Sequence, residues 1–148
     1  MLKTLRVALL PLGLLAIVAF GGCGETSEAD KDIAGYLIVL DEWDISGRGG
    51  ASLPGVRSGT FEITVRNTGT TLHELVILKT NLEIDSLPVD NQVVQEKKAG
   101  EVIGEVEEFQ AGDTERATFS LAAGRYALIC NVPGHYQRGM YAELEVAP

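Results

Sequence analysis

From Ile33 onward, the hydrophobic pattern is one of short β-type runs separated by turn residues. Phe61-Glu62-Ile63-Thr64-Val65 alternates strictly and stops at the turn Asn67-Thr68-Gly69; Ala117 to Leu121 does the same, and so does Tyr141 to Val146. Tyr36 to Leu40, leading into Trp43 and Ile45, Leu72 to Leu78, Val102 to Phe109 and Tyr126 to Cys130 are further β-type runs. Gly47 to Gly50, Leu53-Pro54-Gly55 and Gly124 break the chain between them. A period of two puts successive side chains on opposite faces of a strand, so each alternating run predicts one buried and one wetted face. Seven to eight short strands with regular turn signals predict an all-β fold, an antiparallel β-sandwich.

Thr80 to Gly100 departs from this pattern. It carries Pro88, several acids and Lys97-Lys98 with weak periodicity. A long connection crossing the sandwich is expected there, with a short helical turn around Asn91 to Lys97.

The first residues do not belong to that core. Lys3 and Arg6 precede the uncharged stretch Val7 to Phe20, and Gly21-Gly22 precede Cys23, which is the layout of a secretory signal. The apolar run is short for a permanent membrane span. Ala19-Phe20-Gly21-Gly22-Cys23 resembles a bacterial lipobox, departing from it at Phe20, where an aliphatic residue is usual. The resemblance implies cleavage before Cys23 and a diacylglycerol on its thiol; a plain secretory signal is the simpler alternative. The division expected is a signal over 1–22, an acylated Cys23 with a polar tether over 23–32, and one domain over 33–148.

Charge narrows the partners. The chain is formally −9, and losing Lys3 and Arg6 with the signal makes it −11. Nucleic acid and bare anionic lipid would be repelled, whereas a basic protein would be steered in. With Cys23 acylated, Cys130 has no cysteine to pair with. An unpaired thiol in an oxidising compartment is a liability unless a metal protects or uses it.

The scarce residue types then gather. The two histidines, His73 and His135, the remaining cysteine Cys130 and the methionine Met140 are the soft and imidazole donors left in the chain. Cys130, His135 and Met140 fall within eleven residues, and His73 opens a strand after the Asn67-Thr68-Gly69 turn. Cys and two His in a trigonal set with a weak axial Met are the ligands of a blue-copper site. Zinc fits less well, because structural zinc rarely takes a thioether, and iron–sulfur clusters need more cysteines. Pro133-Gly134 would bend the loop so that its three donors converge on His73. Taken singly, each of these residues is ordinary: a strand-edge His, a buried Cys, a core Met, a loop His. Their joint fall on one metal template favours the site.

Cys130-x4-His135-x4-Met140 with an upstream His73 resembles the cupredoxin (type 1 blue-copper) family. Its loop spacing is most like the rusticyanin, sulfocyanin and auracyanin branches. Ser58 to Phe61, Asn67 to Gly69 and Ala123 to Tyr126 extend the likeness, which covers Tyr36 to Val146 and is weakest over Thr80 to Gly100. It implies a Greek-key sandwich holding one Cu(I)/Cu(II) ion. One departure is Glu74, where many cupredoxins have Asn or Ser: its side chain either sits near the copper and alters the potential or, as strand alternation favours, points outward.

The function implied is transfer of single electrons between redox proteins, a basic cytochrome or a membrane oxidase or reductase among them. The expected carrier is a monomer, lipid-anchored on the outer face of the cytoplasmic membrane. Leu72, Val132, Pro133, Tyr136 and Tyr141 are candidates for an apolar electron-exit patch around His135. No histidines are left for the further copper centres of an oxidase, and no catalytic triad or carboxylate pair has supporting context, so no enzyme is expected. The rival reading is a module that stores, delivers or senses copper, and it calls for an open, exchangeable site.

Overall fold

A computed structural model of the chain describes residues 34–47 and 53–148. The expected signal, Cys23 and the tether lie outside the described residues.

Among the described residues the strands are β1 (Ala34–Asp41), β2 (Asp44–Ser46), β3 (Val56–Arg57), β4 (Gly59–Asn67), β5 (His73–Lys79), β6 (Val89–Asp90), β7 (Val93–Val94), β8 (Glu101–Phe109), β9 (Thr114–Leu121), β10 (Gly124–Ile129) and β11 (Tyr141–Ala147). One helical turn, α1 (Glu96–Ala99), precedes β8. Seven strands have six residues or more, in line with the seven to eight β-type runs of the sequence. The other four are too short for a period of two to register.

Two sheets form the sandwich, in the orders β2-β1-β4-β9 and β3-β11-β10-β5-β8. On β4, Phe61, Ile63 and Val65 point inward between exposed or half-buried neighbours. They join Ile38 and Leu40 of β1, Phe119 and Leu121 of β9, and Leu75, Ile77, Leu128 and Leu144 of the facing sheet in one core. Each such side chain is worth about 1.5–3 kcal/mol on burial, so this interdigitated layer is the main source of stability.

The sheets are mixed where an antiparallel arrangement was expected. β1 runs parallel to β4, and β3 parallel to β11. After β1 and β2 the chain adds β3 to the edge of the second sheet before returning to the first as β4. Alternation within a strand reports which face is buried and carries nothing about the direction of its neighbour.

The long connection covers the outer face of the second sheet. Leu87, Val94, Ala99 and Tyr136 pack there on Val76, Leu78, Ala127 and Ile129, forming a second apolar cluster. This explains why Leu75 to Leu78 and Tyr126 to Ile129 are buried without a break: β5 and β10 are covered on both faces. The helical turn expected around Asn91 to Lys97 occupies only Glu96–Ala99. Asn91 and Gln92 instead adopt positive φ and close a small hairpin between β6 and β7. Asn tolerates that conformation well, and Val93-Val94 favours a strand over a helix.

Candidate metal centre

β10 and β11 are antiparallel neighbours, with Ile129 opposite Tyr141. The residues between them form a loop at one end of the sandwich, closed where the Cys130 N–H donates to the Met140 carbonyl at 3.1 Å. Inside it, the His135 N–H donates to the Val132 carbonyl, and the Arg138 and Met140 N–H groups donate to that of His135. Gly134 sits at φ +84, a conformation that disfavours a side chain, and a Cβ there would collide with the Arg138 guanidinium. The bend expected at Pro133-Gly134 therefore exists, and it turns His135 inward.

β5 supplies the other histidine. Its first residue, His73, lies beside the end of β10, because β5 and β10 pair with Val76 opposite Ile129. The Cys130 Sγ stands 3.3 Å from His135 Nδ1 and 3.7 Å from His73 Nδ1, and the two Nδ1 atoms are 3.2 Å apart. All three donor residues are buried. Met140 is fully buried in the same core cluster as Cys130, and its backbone bonds both Cys130 and His135. The four expected residues thus gather at one end of the sandwich.

The electrostatics suit a soft cation. Burial pushes the Cys130 thiol up to about 11, so a thiolate here calls for a positive partner. The Glu74 N–H points at the sulfur from 3.5 Å and would support that charge. Burial holds both imidazoles below their usual range; for His135, His73 and Arg138 add to the effect. Neutral imidazoles keep the lone pair a metal requires. Buried thiol, two neutral imidazoles facing it and a thioether nearby fit copper in a type 1 site.

Glu74 itself is half-buried. Burial, then the charge of Glu108, raises its carboxyl to about 7. It stands near Asn131, whose amide holds the Val94 backbone and Glu96.

The expected exit patch needs correction. Tyr136 is only 4% exposed; its hydroxyl donates to the Ile84 carbonyl and accepts from the Leu87 N–H, under the long connection. Its ring packs on that of Tyr141, so both belong to the outer apolar cluster. The Pro133-Gly134 bend sends the next turn of chain, Tyr136–Arg138, to that side. Leu72, 36% exposed, and Pro133 remain at the surface, and Val132 is half-buried. His135 is only 7% exposed, and the Trp43 ring lies nearly perpendicular against it, the centroids 5.1 Å apart. Arg138 lies over the other ring system, 4.7 Å from the indole centre. Trp43 is 38% exposed and sits in the β1–β2 turn with φ +65. The sequence pattern shows Trp43 only as following the Tyr36 to Leu40 run; its being the sole tryptophan is the one signal of this position that the sequence carries.

A two-sheet sandwich with a buried Cys/His/His set and an adjacent Met defines the cupredoxin class. The chain belongs to the sulfocyanin (SoxE) domain family, which matches residues 55–148. Solved structures similar to it include reduced auracyanin from the photosynthetic bacterium Roseiflexus castenholzii, at 23% identity and TM-score 0.57 over 79% of this chain and 99% of that one. Auracyanin A from Chloroflexus aurantiacus, described as a blue copper protein, gives 24% and 0.53 over 76% and 99%. Rusticyanin from Thiobacillus ferrooxidans gives 18% and 0.53 over 76% and 77%. At these identities the structures show a shared fold. No curated protein matches the chain.

Proposed function

We propose that the protein is a single-electron carrier with one type 1 copper, ligated by His73, Cys130, His135 and Met140. The observation that carries this reading is the buried convergence of Cys130 Sγ with the two Nδ1 atoms within 4.8 Å of one another. Copper would supply a one-electron couple between Cu(I) and Cu(II). The chain's own part is to hold the donors nearly fixed: β5 sets His73, and the loop hydrogen bonds set the other three. Donors that barely move between oxidation states keep reorganisation small. Burial of the set favours transfer over delivery, which needs an exchangeable site.

Electrons would leave through His135 and the indole above it, with Pro133 and Leu72 as the apolar surface for brief docking. The acidic chain suits a basic redox protein, a cytochrome or a membrane oxidase or reductase among them. Acylation of Cys23 would hold the domain on the extracytoplasmic face of the membrane by lipid. Among the described residues, no helix is long and apolar enough to cross a membrane. Loss of the protein from the membrane fraction on Cys23→Ser is expected; retention would sink the anchor.

The deciding experiment is the visible spectrum after loading with Cu(II). An intense thiolate-to-copper band is expected in the parent and absent in Cys130→Ser. A folded parent exposed to copper that shows no such band overturns the reading.

A further inference from the structure

Resting on the copper reading above, we infer that Glu42 is a positioning residue for His73: its carboxylate takes the imidazole Nε2–H, aims Nδ1 at the copper and favours the Cu(II) state. Three observations meet at this point. His73 uses Nδ1 toward Cys130 and His135, while Nε2 is buried on the far side of the ring without a hydrogen-bond partner among the described residues. A buried N–H left unsatisfied costs about 1–3 kcal/mol, so an acceptor is called for.

The facing acceptor is Glu42 Oε1, at 3.7 Å. About half an ångström of approach would bring it within hydrogen-bond range. The carboxylate is itself fixed, because Oε1 accepts the Thr70 N–H at 2.6 Å and the Thr71 N–H at 3.1 Å, with both threonine hydroxyls close by.

Gly69 supplies the third observation. A Cβ on it would fall 2.7 Å from Glu42 Oε1, 2.8 Å from Oε2 and 2.8 Å from His73 Nε2. The carboxylate and the imidazole therefore share a gap that exists only because residue 69 has no side chain. Strand register brings the parts together: Leu40 pairs with Asn67 across β1 and β4, and the Thr68 N–H donates to the Leu40 carbonyl. The turn carrying Glu42 is thereby laid against the loop leading to His73.

Metal-bound histidines commonly give their second N–H to a carboxylate, which fixes the tautomer and raises ligand basicity. A negative charge there stabilises the more positive metal state and lowers the reduction potential. If Glu42 merely stapled the Thr70-Thr71 turn, the charge would not matter, because a glutamine offers the same Oε1 acceptor.

The test is the reduction potential of the copper-loaded parent, Glu42→Gln and Gly69→Ala, with the ¹⁵N spectrum of His73 in the metal-free proteins. For Glu42→Gln, the preference for Cu(II) over Cu(I) should fall about tenfold, which is about 59 mV for one electron. Gly69→Ala, which parts the pair but keeps the charge, should shift the potential in the same direction. In the metal-free parent, His73 should be the Nε2–H tautomer. An unchanged potential in Glu42→Gln overturns the proposal, and so does an Nδ1–H tautomer in the parent. The tautomer is read without metal, so it decides the Glu42 contact even if the parent forms no thiolate–copper band.

Discussion

Asn67 is fully buried, and its amide serves three backbone groups. It donates to the Thr71 carbonyl at 2.8 Å and the Phe109 carbonyl at 3.2 Å, and accepts the Gly69 N–H at 3.0 Å. These bonds shape the loop that delivers His73. Asn67→Ala should therefore cost about 2–3 kcal/mol, since buried partners left unpaired cost about 1–3. Urea denaturation would show it as a lower midpoint at constant slope; an unmoved midpoint would mean water replaces the amide. Tyr136→Phe, which strips the hydroxyl shared by Leu87 and Ile84, should cost about 1–2 kcal/mol by the same measurement. At this scale the sequence was unevenly legible. The four expected ligands stood out because their types are scarce and soft. Asn67 and Glu42 did not, being one Asn in a turn and one acid among 21 Asp and Glu, with roles set by strand register across the sheet.

The elements of most consequence are the β1–β2 turn and the connection from Thr80 to Gly100. The turn presents Trp43 to His135, and Trp43 is the chain's sole tryptophan. Cu(II) bound by the adjacent imidazole should quench most of the tryptophan emission, and reduction to Cu(I), with its filled d shell, should restore part of it. Emission unaffected by loading would show that the indole does not lie against a copper-bearing ring. The connection was legible as something other than a regular strand or helix, because its periodicity is weak. Its job was hidden: its apolar residues are spaced to meet the outer face of β5 and β10, a surface that only the assembled sheet creates. The unbroken apolar run Leu75 to Leu78 was the available sign that β5 is covered on both sides.

For the whole molecule, metal and fold are linked. Copper that binds only the folded chain adds about 2.7 kcal/mol when free metal is a hundredfold above its dissociation constant. For a domain of this size that is a rise in Tm of roughly 10 °C or more. Calorimetry with and without Cu(II) would measure it, and Cys130→Ser should lose most of the rise. Charge acts at the same scale. Association with a basic redox partner should slow as salt is raised, since screening shortens to about 10 Å at 0.1 M. A rate indifferent to salt would remove electrostatic steering from the account. The sandwich itself was legible from the alternation in β4, β9 and β11 and from the other β-type runs set between turn residues, whereas its two parallel pairings were not, because strand direction is decided by crossings between sheets.

The ligand loop is tied along its length to the connection beneath it. Gly134 donates to the Gln92 carbonyl, Asn131 pairs with both backbone groups of Val94, and Tyr136 holds Ile84 and Leu87. A loop anchored only at its ends could drift in length over evolutionary time for little more than closure entropy, about 0.6 kcal/mol per doubling. This one is quilted to a second segment some forty residues upstream, so an insertion in either would pull the stitches out of register. Among relatives, the two segments are expected to change length together, and a ligand loop transplanted without its backing should arrive slack.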